Sequence, residues 1–556
     1  MKAIDRRDWL AAVAAVGLTL GAQAAYEATI EAPNGVGDVV ALTNALAEFN
    51  ALSSRTSGRI LLKPGVYNLR GVYMNSASHL TISAAQHGLF AGLGAKPEDT
   101  VLLGGGEAEA HRVLSLGGGG NYGWFTVSNM TVTGGWTSGD GGGISGNGTS
   151  RYSHLIISNN YAAGSNQGGG GGCMRGHAEY CLFADNRVVS SGTRFGGGLW
   201  TDGGGGQQAT YVQGAWHCTF SNNVCHYAGG AMFLKGKCID CTFVDNKANH
   251  GGAVHGSSTT YTWSGFSDTT EIRDCSFTGN MLSAWGHGSA IYGTASLGVP
   301  ISNCVFTAND TPGIGGSGVI YKGNLADCVI TNNLRIEQIL YDCNLVRCLV
   351  ANNTTTGNSA HNDYSSTAGA YTNVNCIFLN NFQQNYGHVT SKKVIVNCSY
   401  IGNISNNGGN YGGICTRCQM FNTLLFDNWT DGSKTSQYAR DIRAHDTNGD
   451  LPLVMTNCLF ATCDTNVTLD AAGFVTNDGV ANTRKVADMK FEDAASGNYT
   501  PKYRSPASNA GCQEPWLIEL AGLKDLAGNP RVYGDRIDIG AYECQKHAPG
   551  AVFTVR

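Results

Sequence analysis

Cys241-Thr242-Phe243-Val244-Asp245-Asn246 and, a few residues on, Gly251-Gly252-Ala253-Val254 are the two phrases on which the fold turns. The first recurs at Cys181–Asn186, Cys218–Asn223, Cys275–Asn280 and Cys304–Asn309. Looser copies run Cys328–Asn333, Cys348–Asn353, Cys376–Asn381 and Cys398–Asn403. Leu155–Asn160 and Thr423–Asn428 keep the Asn without the Cys, and Cys458 opens a last copy with Cys463 in the Asn position. The second phrase recurs as Gly141-Gly-Gly-Ile144, Gly196-Gly-Gly-Leu199, Gly229-Gly-Ala-Met232 and Gly412-Gly-Ile414. Gly288-Ser-Ala-Ile291 and Gly316-Ser-Gly-Val319 are variants. Two alternating phrases with insertions of unequal length are the mark of a solenoid whose loops grow on one side.

Stacking explains the residue types. Coils of a parallel β-helix lie about 4.8 Å apart, so equivalent residues form columns. Cys serves as a small apolar filler of an inward column. Phe two positions later points the same way, because the strand period is two. Asn suits a bend, where it tolerates unusual dihedrals, and its amide can donate to one coil and accept from the next. Each such bond contributes about 1 kcal/mol net. The glycines permit positive φ and close backbone approach at the other corner. The predicted class is therefore all-β: a right-handed parallel β-helix with an N-terminal helical cap and a small C-terminal tail domain.

Composition agrees. Gly numbers 78 and Pro 11, and charged residues are only 14% of the chain, well below the usual quarter. The net charge of -5 has no basic block, which argues against a nucleic-acid partner. Lys2, Arg6 and Arg7, the apolar run Leu10–Leu20 and Ala22-Gln23-Ala24 read as a signal peptide over 1–24. Arg6-Arg7-Asp8-Trp9-Leu10 fits a twin-arginine signal as well as a general secretory one. The apolar run is too short to span a bilayer, and no later segment reads as transmembrane. The expected division is cap and first coils over 25–105, repeats over 106–480 and tail over 481–556. Helical spacing over Val39–Leu52 supplies the cap, which shields an open sheet end.

There are 19 cysteines. Column neighbours have parallel Cβ vectors, which suits disulfide geometry poorly, so most are read as reduced core fillers. Cys238-x-x-Cys241 and Cys415-x-x-Cys418 have zinc-ligand spacing, but Cys241 belongs to the column; no metal site is predicted. Cys512 and Cys544 lie outside the column and are free to pair. No cofactor is predicted, with Ca²⁺ left open.

The alternating phrases over Gly141–Asn428 resemble repeats of the polymorphic outer-membrane protein family, which implies a surface-exposed adhesive protein. Only twelve residues follow Cys544, so a C-terminal autotransporter barrel like that family's is not expected. Gly58-Arg-Ile-Leu-Leu-Lys-Pro-Gly-Val-Tyr67 resembles the first coil of the pectin-lyase-like fold. Ser505-Pro506, Asp525-Leu-Ala-Gly-Asn-Pro-Arg531 and Ile537-Asp-Ile-Gly-Ala-Tyr-Glu543 resemble the choice-of-anchor tail of secreted bacterial β-helix proteins.

The pectin-lyase-like resemblance implies polysaccharide lyases, hydrolases or epimerases, and the fold does not choose among them. Gly286-His287-Gly288 matches a polygalacturonase phrase, yet no Asp-Asp occurs, and Arg335-Ile336-Glu337 reverses the charge of its Arg-Ile-Lys phrase. Hydrolysis needs two carboxylates flanking the bond, and no such pair is assigned. Residues following the inward hydrophobics of the Gly-Gly strands should point outward: Met174, Trp200, Phe233, His255 and Tyr292, with Tyr321 nearby. Arg175, Asp202, Lys235 and Lys322 flank them. Such a stripe can stack against sugars and pair with uronates, unless long loops fold over it. Substrate-binding candidates are Trp200, Asp202, Phe233, His255, Tyr292, Tyr321 and Lys322. Were the chain a lyase, Lys235 or His255 would serve as base beside a charge-neutralising Arg175. The favoured expectation is an exported surface or extracellular protein that binds a polysaccharide or cell-surface ligand without catalysis; the alternative is a polysaccharide lyase or glycoside hydrolase.

Overall fold

The computed structural model describes residues 26–53, 56–83, 86–117, 125–163, 169–189, 192, 194–201, 213–257, 262–263, 266–267, 270–294, 298–310, 316–335, 337–356, 360–367, 369–384, 387–406, 414–430, 441, 454–463, 467–477 and 480–546. The proposed signal peptide lies outside them. The chain divides into two compact units. The first comprises Met1–Ser190 and Gly197–Cys218, the second Ser191–Gly196 and Thr219–Arg556. Both are right-handed parallel β-helix.

In the first unit, Tyr26–Ile30 pairs in parallel with Ser57–Leu62, which pairs with His87–Gly92, then Phe125–Thr133, then Arg151–Ser158. One register line runs Ile60, Phe90, Val127, Tyr152, Ala178, all buried. The helix α1, Val39–Ala51, begins where Asp38 accepts a hydrogen bond from the Ala41 amide. Leu42, Ala45, Leu46 and Phe49 form its buried face. Phe49 packs on Tyr26 and Phe125, with ring centroids 5.5 and 6.1 Å away. The expected cap is therefore present, over the first strands of the solenoid.

In the second unit each coil contributes two short strands to one sheet, kinked between them. Phe220, Phe243, Phe277 and Phe306 are in register and stack at 5.0, 4.7 and 4.8 Å. None of the 19 cysteines, all among the described residues, is bridged in a disulfide, and those of the repeat from Cys181 to Cys458 are buried. Burial raises the thiols of Cys225 and Cys458 to about 11 and about 12, which keeps them protonated and unreactive.

The Asn column is a continuous ladder. Asn223, Asn246, Asn280, Asn309, Asn333, Asn353, Asn381, Asn403 and Asn428 each donate a backbone and a side-chain N–H to the next side chain. Its last acceptor is Asp441, whose Oδ1 takes Asn428 while Oδ2 takes the amides of Ala461 and Thr462. A row of donors pointing one way needs an acceptor at its end, and the Asp441 carboxyl supplies two oxygens. The dihedral argument for the Asn needs correcting. The residue before it carries the left-handed backbone, at Asn222, Asp245, Gly279, Asn332 and Asp427; the ladder Asn supplies the hydrogen bonds. Glycine is required at the opposite corner: Gly229 has φ +68°, and a Cβ on Gly230 would lie 2.1 Å from the Gly252 carbonyl.

The tail packs on the second unit's coils. Outward positions that are Thr219, Thr242 and Ser276 in earlier coils become Ile377, Leu424 and Leu459. Met489, Phe491, Ala507, Ile539 and Ala541 cover them. The tail motif is a carboxylate clasp. Asp525 accepts the amides of Asn529 and Glu543, Asp538 those of Asn509 and Cys544, and Glu543 those of Tyr533 and Asp538. Buried Arg531 donates to the Asp538 and Gly540 carbonyls. The helix α2, Pro515–Ala521, buries Leu517 and Ala521. Among the described residues no helix is long and apolar enough to cross a membrane.

Candidate functional site

The site is built by the Gly-Gly strands of the second unit. Met232, Val254, Ile291, Ile320 and Leu340 share an inward register line and are fully buried. Period-two alternation then turns the next residue of each strand outward. That outward line is Phe233, His255, Tyr292, Tyr321, Tyr341, Tyr364. Successive ring centroids are 5.0, 5.0, 5.1, 5.0 and 5.3 Å apart. A register shift between Ser317 and Ile320 keeps Tyr321 opposite Tyr341. Without it every later ring would turn inward.

Lysines follow the rings. Lys235 lies 5.9 Å from the Phe233 centroid and Lys322 5.3 Å from that of Tyr321. Lys392 lies 5.0 Å from the Tyr364 centroid and donates to its hydroxyl at 3.1 Å. A second aromatic line borders the first. His250 packs 5.0 Å from Tyr292, and His287 4.6 Å from Tyr321.

Burial grades along the column. Phe233 and His255 are each 6% exposed, whereas Tyr292, Tyr321, Tyr341 and Tyr364 are half-buried. Tyr292, Tyr321 and Tyr341 lie within 24° of parallel to their neighbours in that triplet. Their faces are occupied by each other, so a ligand laid along the column meets hydroxyl-bearing edges. Burial and neighbouring phenols push the Tyr321 hydroxyl up to about 12, so it remains a donor at physiological pH. Burial lowers His255 to about 3 and His287 to about 4, the latter aided by His250, Arg335 and Lys322. Both imidazoles are neutral near pH 7, and no hydrogen bond reaches the buried Nδ1 of either among the described residues.

The structure thus brings Lys235, Phe233, His255, Tyr292, Tyr321 and Lys322 together. Trp200 and Arg175 belong to the first unit, where the guanidinium carbon lies 5.7 Å from the indole centroid. Trp200 is 7% exposed, and Met174 is buried beside it in register. Asp202 lies outside the described residues. Tyr341 and Tyr364 were not anticipated, because their strands lack the Gly-Gly signal. An apolar–Tyr pair at Ile291-Tyr292, Ile320-Tyr321 and Leu340-Tyr341 was the legible cue. Arg335, half of the reversed polygalacturonase phrase, is buried in the core with Nη2 on the Gly318 carbonyl. Among the described residues no group of three His, Cys, Asp or Glu is placed to hold a metal ion.

The first unit carries a second polar cluster that sequence reasoning missed. His177 Nε2 meets Glu179 Oε1 at 3.1 Å, and Arg151 lies 3.9 Å from the same oxygen. Trp216 packs edge-on against His177 at 4.5 Å. The His177 contact holds the Glu179 carboxyl below its ordinary value.

No family profile and no curated protein matches the chain. Solved β-helix structures do. A mannuronan C-5 epimerase A-module from Azotobacter vinelandii aligns at 12% identity and TM-score 0.25, covering 81% of this chain and 95% of that one. Tailspike protein 3 of bacteriophage CBA120 aligns at 12% and 0.32, covering 81% and 59%. A mannuronic-acid-specific family 6 polysaccharide lyase from human gut microbiota aligns at 10% and 0.27, covering 74% and 88%. At these identities and scores the likenesses assign neither a reaction nor a ligand.

Proposed function

We propose that this protein is exported to the bacterial surface or the extracellular space and there binds an acidic polysaccharide without cleaving it. The observation that carries this reading is the in-register column Tyr292, Tyr321, Tyr341, Tyr364, half-exposed and flanked by Lys322 and Lys392. Its spacing is close to the length of one sugar residue in an extended chain. Phenolic hydroxyls donate to and accept from sugar hydroxyls, and lysines pair with uronate carboxylates. His255 is buried rather than presented to a ligand laid along the column. The polymorphic outer-membrane protein-like repeats and the choice-of-anchor-like tail support a place at the cell surface.

Affinity electrophoresis against acidic and neutral polysaccharides tests it. Retardation by an acidic polymer, weakened in Tyr321→Ala and in Lys322→Gln, is expected. Unaltered mobility against every polymer overturns it. A second reading, catalysis as a lyase or hydrolase, is favoured by the Arg151–His177–Glu179 cluster. Unsaturated or reducing ends released by the protein and abolished in His177→Gln would establish that reading instead.

A further inference from the structure

The interior of the second unit holds a charged pair that glycan binding does not use. Lys393 Nζ and Asp363 Oδ1 are 3.1 Å apart, and neither side chain has any exposure. Asp363 falls on the inward line, in register with Leu340 and Thr390, where the coils above and below supply uncharged residues. Asn373, also fully buried, donates Nδ2 to Asp363 Oδ2 at 2.7 Å. Lys393 Nζ donates in addition to the Cys343 carbonyl.

Burying two ions is costly even after relaxation, and apolar replacements of such pairs are often no less stable. Burial raises the Asp363 carboxyl, against the opposing pull of Lys393. Transfer of one proton from ammonium to carboxylate removes both charges without any exchange with solvent. After such a transfer an amine would lie in contact with a carboxylic acid, held in place by the packed coils. Fixed contact of this kind replaces a bimolecular encounter and accelerates reaction by orders of magnitude.

We propose that Lys393 and Asp363 condense spontaneously into an intramolecular amide that crosslinks two coils, with Asn373 as a positioning residue. The Nζ lone pair attacks Asp363 Cγ, and the charge that develops on Oδ2 is held by the Asn373 amide donor. Oδ1 receives two of the three ammonium protons in all and leaves as water. The third stays on the amide nitrogen. Lysine ammonium plus aspartate carboxylate thus gives amide plus water, with no oxidant, metal or cofactor. The bond removes the buried charges and constrains the unfolded chain, as a disulfide does.

The test is the intact mass and peptide map of the purified, thiol-reduced protein. The expected mass is lower than the sequence mass by one water, with a branched peptide pair joined through Lys393 and Asp363. After denaturation, Lys393 should resist amine acylation. Lys393→Met and Asp363→Ala should restore the sequence mass and abolish the branched pair. Asn373→Ala should leave a measurable fraction uncrosslinked, an outcome that a purely structural role for Asn373 would not produce. A full sequence mass in the wild-type protein, with Lys393 acylated after denaturation, overturns the proposal. That measurement needs no variant to fold.

Discussion

The second unit carries two columns built by one rule, an asparagine ladder at one corner and a tyrosine column on another face. In both, the same residue type recurs in register and touches its copies in the coils above and below. They differ in where their polar atoms end. Asn246 through Asn428 are fully buried, and their amides are consumed by the neighbouring side chains and backbone. Tyr292 through Tyr364 pack ring against ring and are half-exposed. Repetition therefore marks the fold in one case and a candidate binding surface in the other. Exposure tells them apart: the asparagines are buried and the tyrosines reach the surface.

The largest expected effect breaks the ladder. Asn280→Ala removes the side-chain acceptor of Asn246 N, one of two acceptors of Asn246 Nδ2, and a donor each to Phe243 O and Asn309 Oδ1. These four lost hydrogen bonds, at about 1 kcal/mol each, predict a loss of about 3–5 kcal/mol, read by urea unfolding. Polysaccharide binding by the protein that remains folded should be unchanged; a selective loss of binding would erase the distinction between the columns.

The ladder's terminus comes next. Asp441→Asn turns an amide N–H₂ toward backbone donors and should cost about 1–3 kcal/mol. Burial raises the Asp441 carboxyl from its ordinary value, against the lowering pull of the hydrogen bonds from Asn428, Thr462 and Ala461, so the folded state holds its proton more tightly than the unfolded chain. That contribution is full below the ordinary carboxylate value and is lost as pH rises through the raised one. The variant should show a shallower decline in stability across that interval; an identical pH profile would contradict the cause given.

Smaller effects probe the tyrosine column. Tyr341→Ala should weaken polysaccharide binding by roughly 1 kcal/mol, about fivefold in Kd, with Tyr341→Phe reproducing most of the loss because the hydroxyl edge is what the ligand meets. Calorimetric titration reads both, and retention of full affinity by the phenylalanine variant would shift the reading from edge to face. His255→Phe is the mildest. It keeps a ring in a buried slot and should change stability by less than about 1.5 kcal/mol and binding not at all. Loss of a turnover activity in that variant would make His255 catalytic and end its reading as part of the stack.

Much of the fold was legible because a solenoid writes one coil's demands repeatedly. Cys241, Phe243 and Asn246 recur at equivalent places for reasons local to a strand and a bend, and the cap at Val39–Ala51 followed from helical spacing. Less of the surface was legible. Outwardness of Phe233 and His255 followed from strand alternation, yet both are 6% exposed, since exposure depends on residues packed from elsewhere. Tyr341 and Tyr364 escaped notice because their strands lack the Gly-Gly phrase that marks the earlier ones. The His177–Glu179 pair was invisible as spacing alone, since its chemistry comes from Arg151 and Trp216 on adjacent coils.

By itself the sequence determined the repeating coil, its inward columns and its capped start, because each follows from short-range periodicity and the identity of single residues. Only the tertiary structure decided that Asp441 ends the asparagine ladder, that the tail lies along Ile377, Leu424 and Leu459, and that Lys393 meets Asp363. Each joins residues whose separation along the chain is set by insertions of arbitrary length. Contact across such insertions is fixed by the stacking of coils, a property no stretch of sequence carries alone.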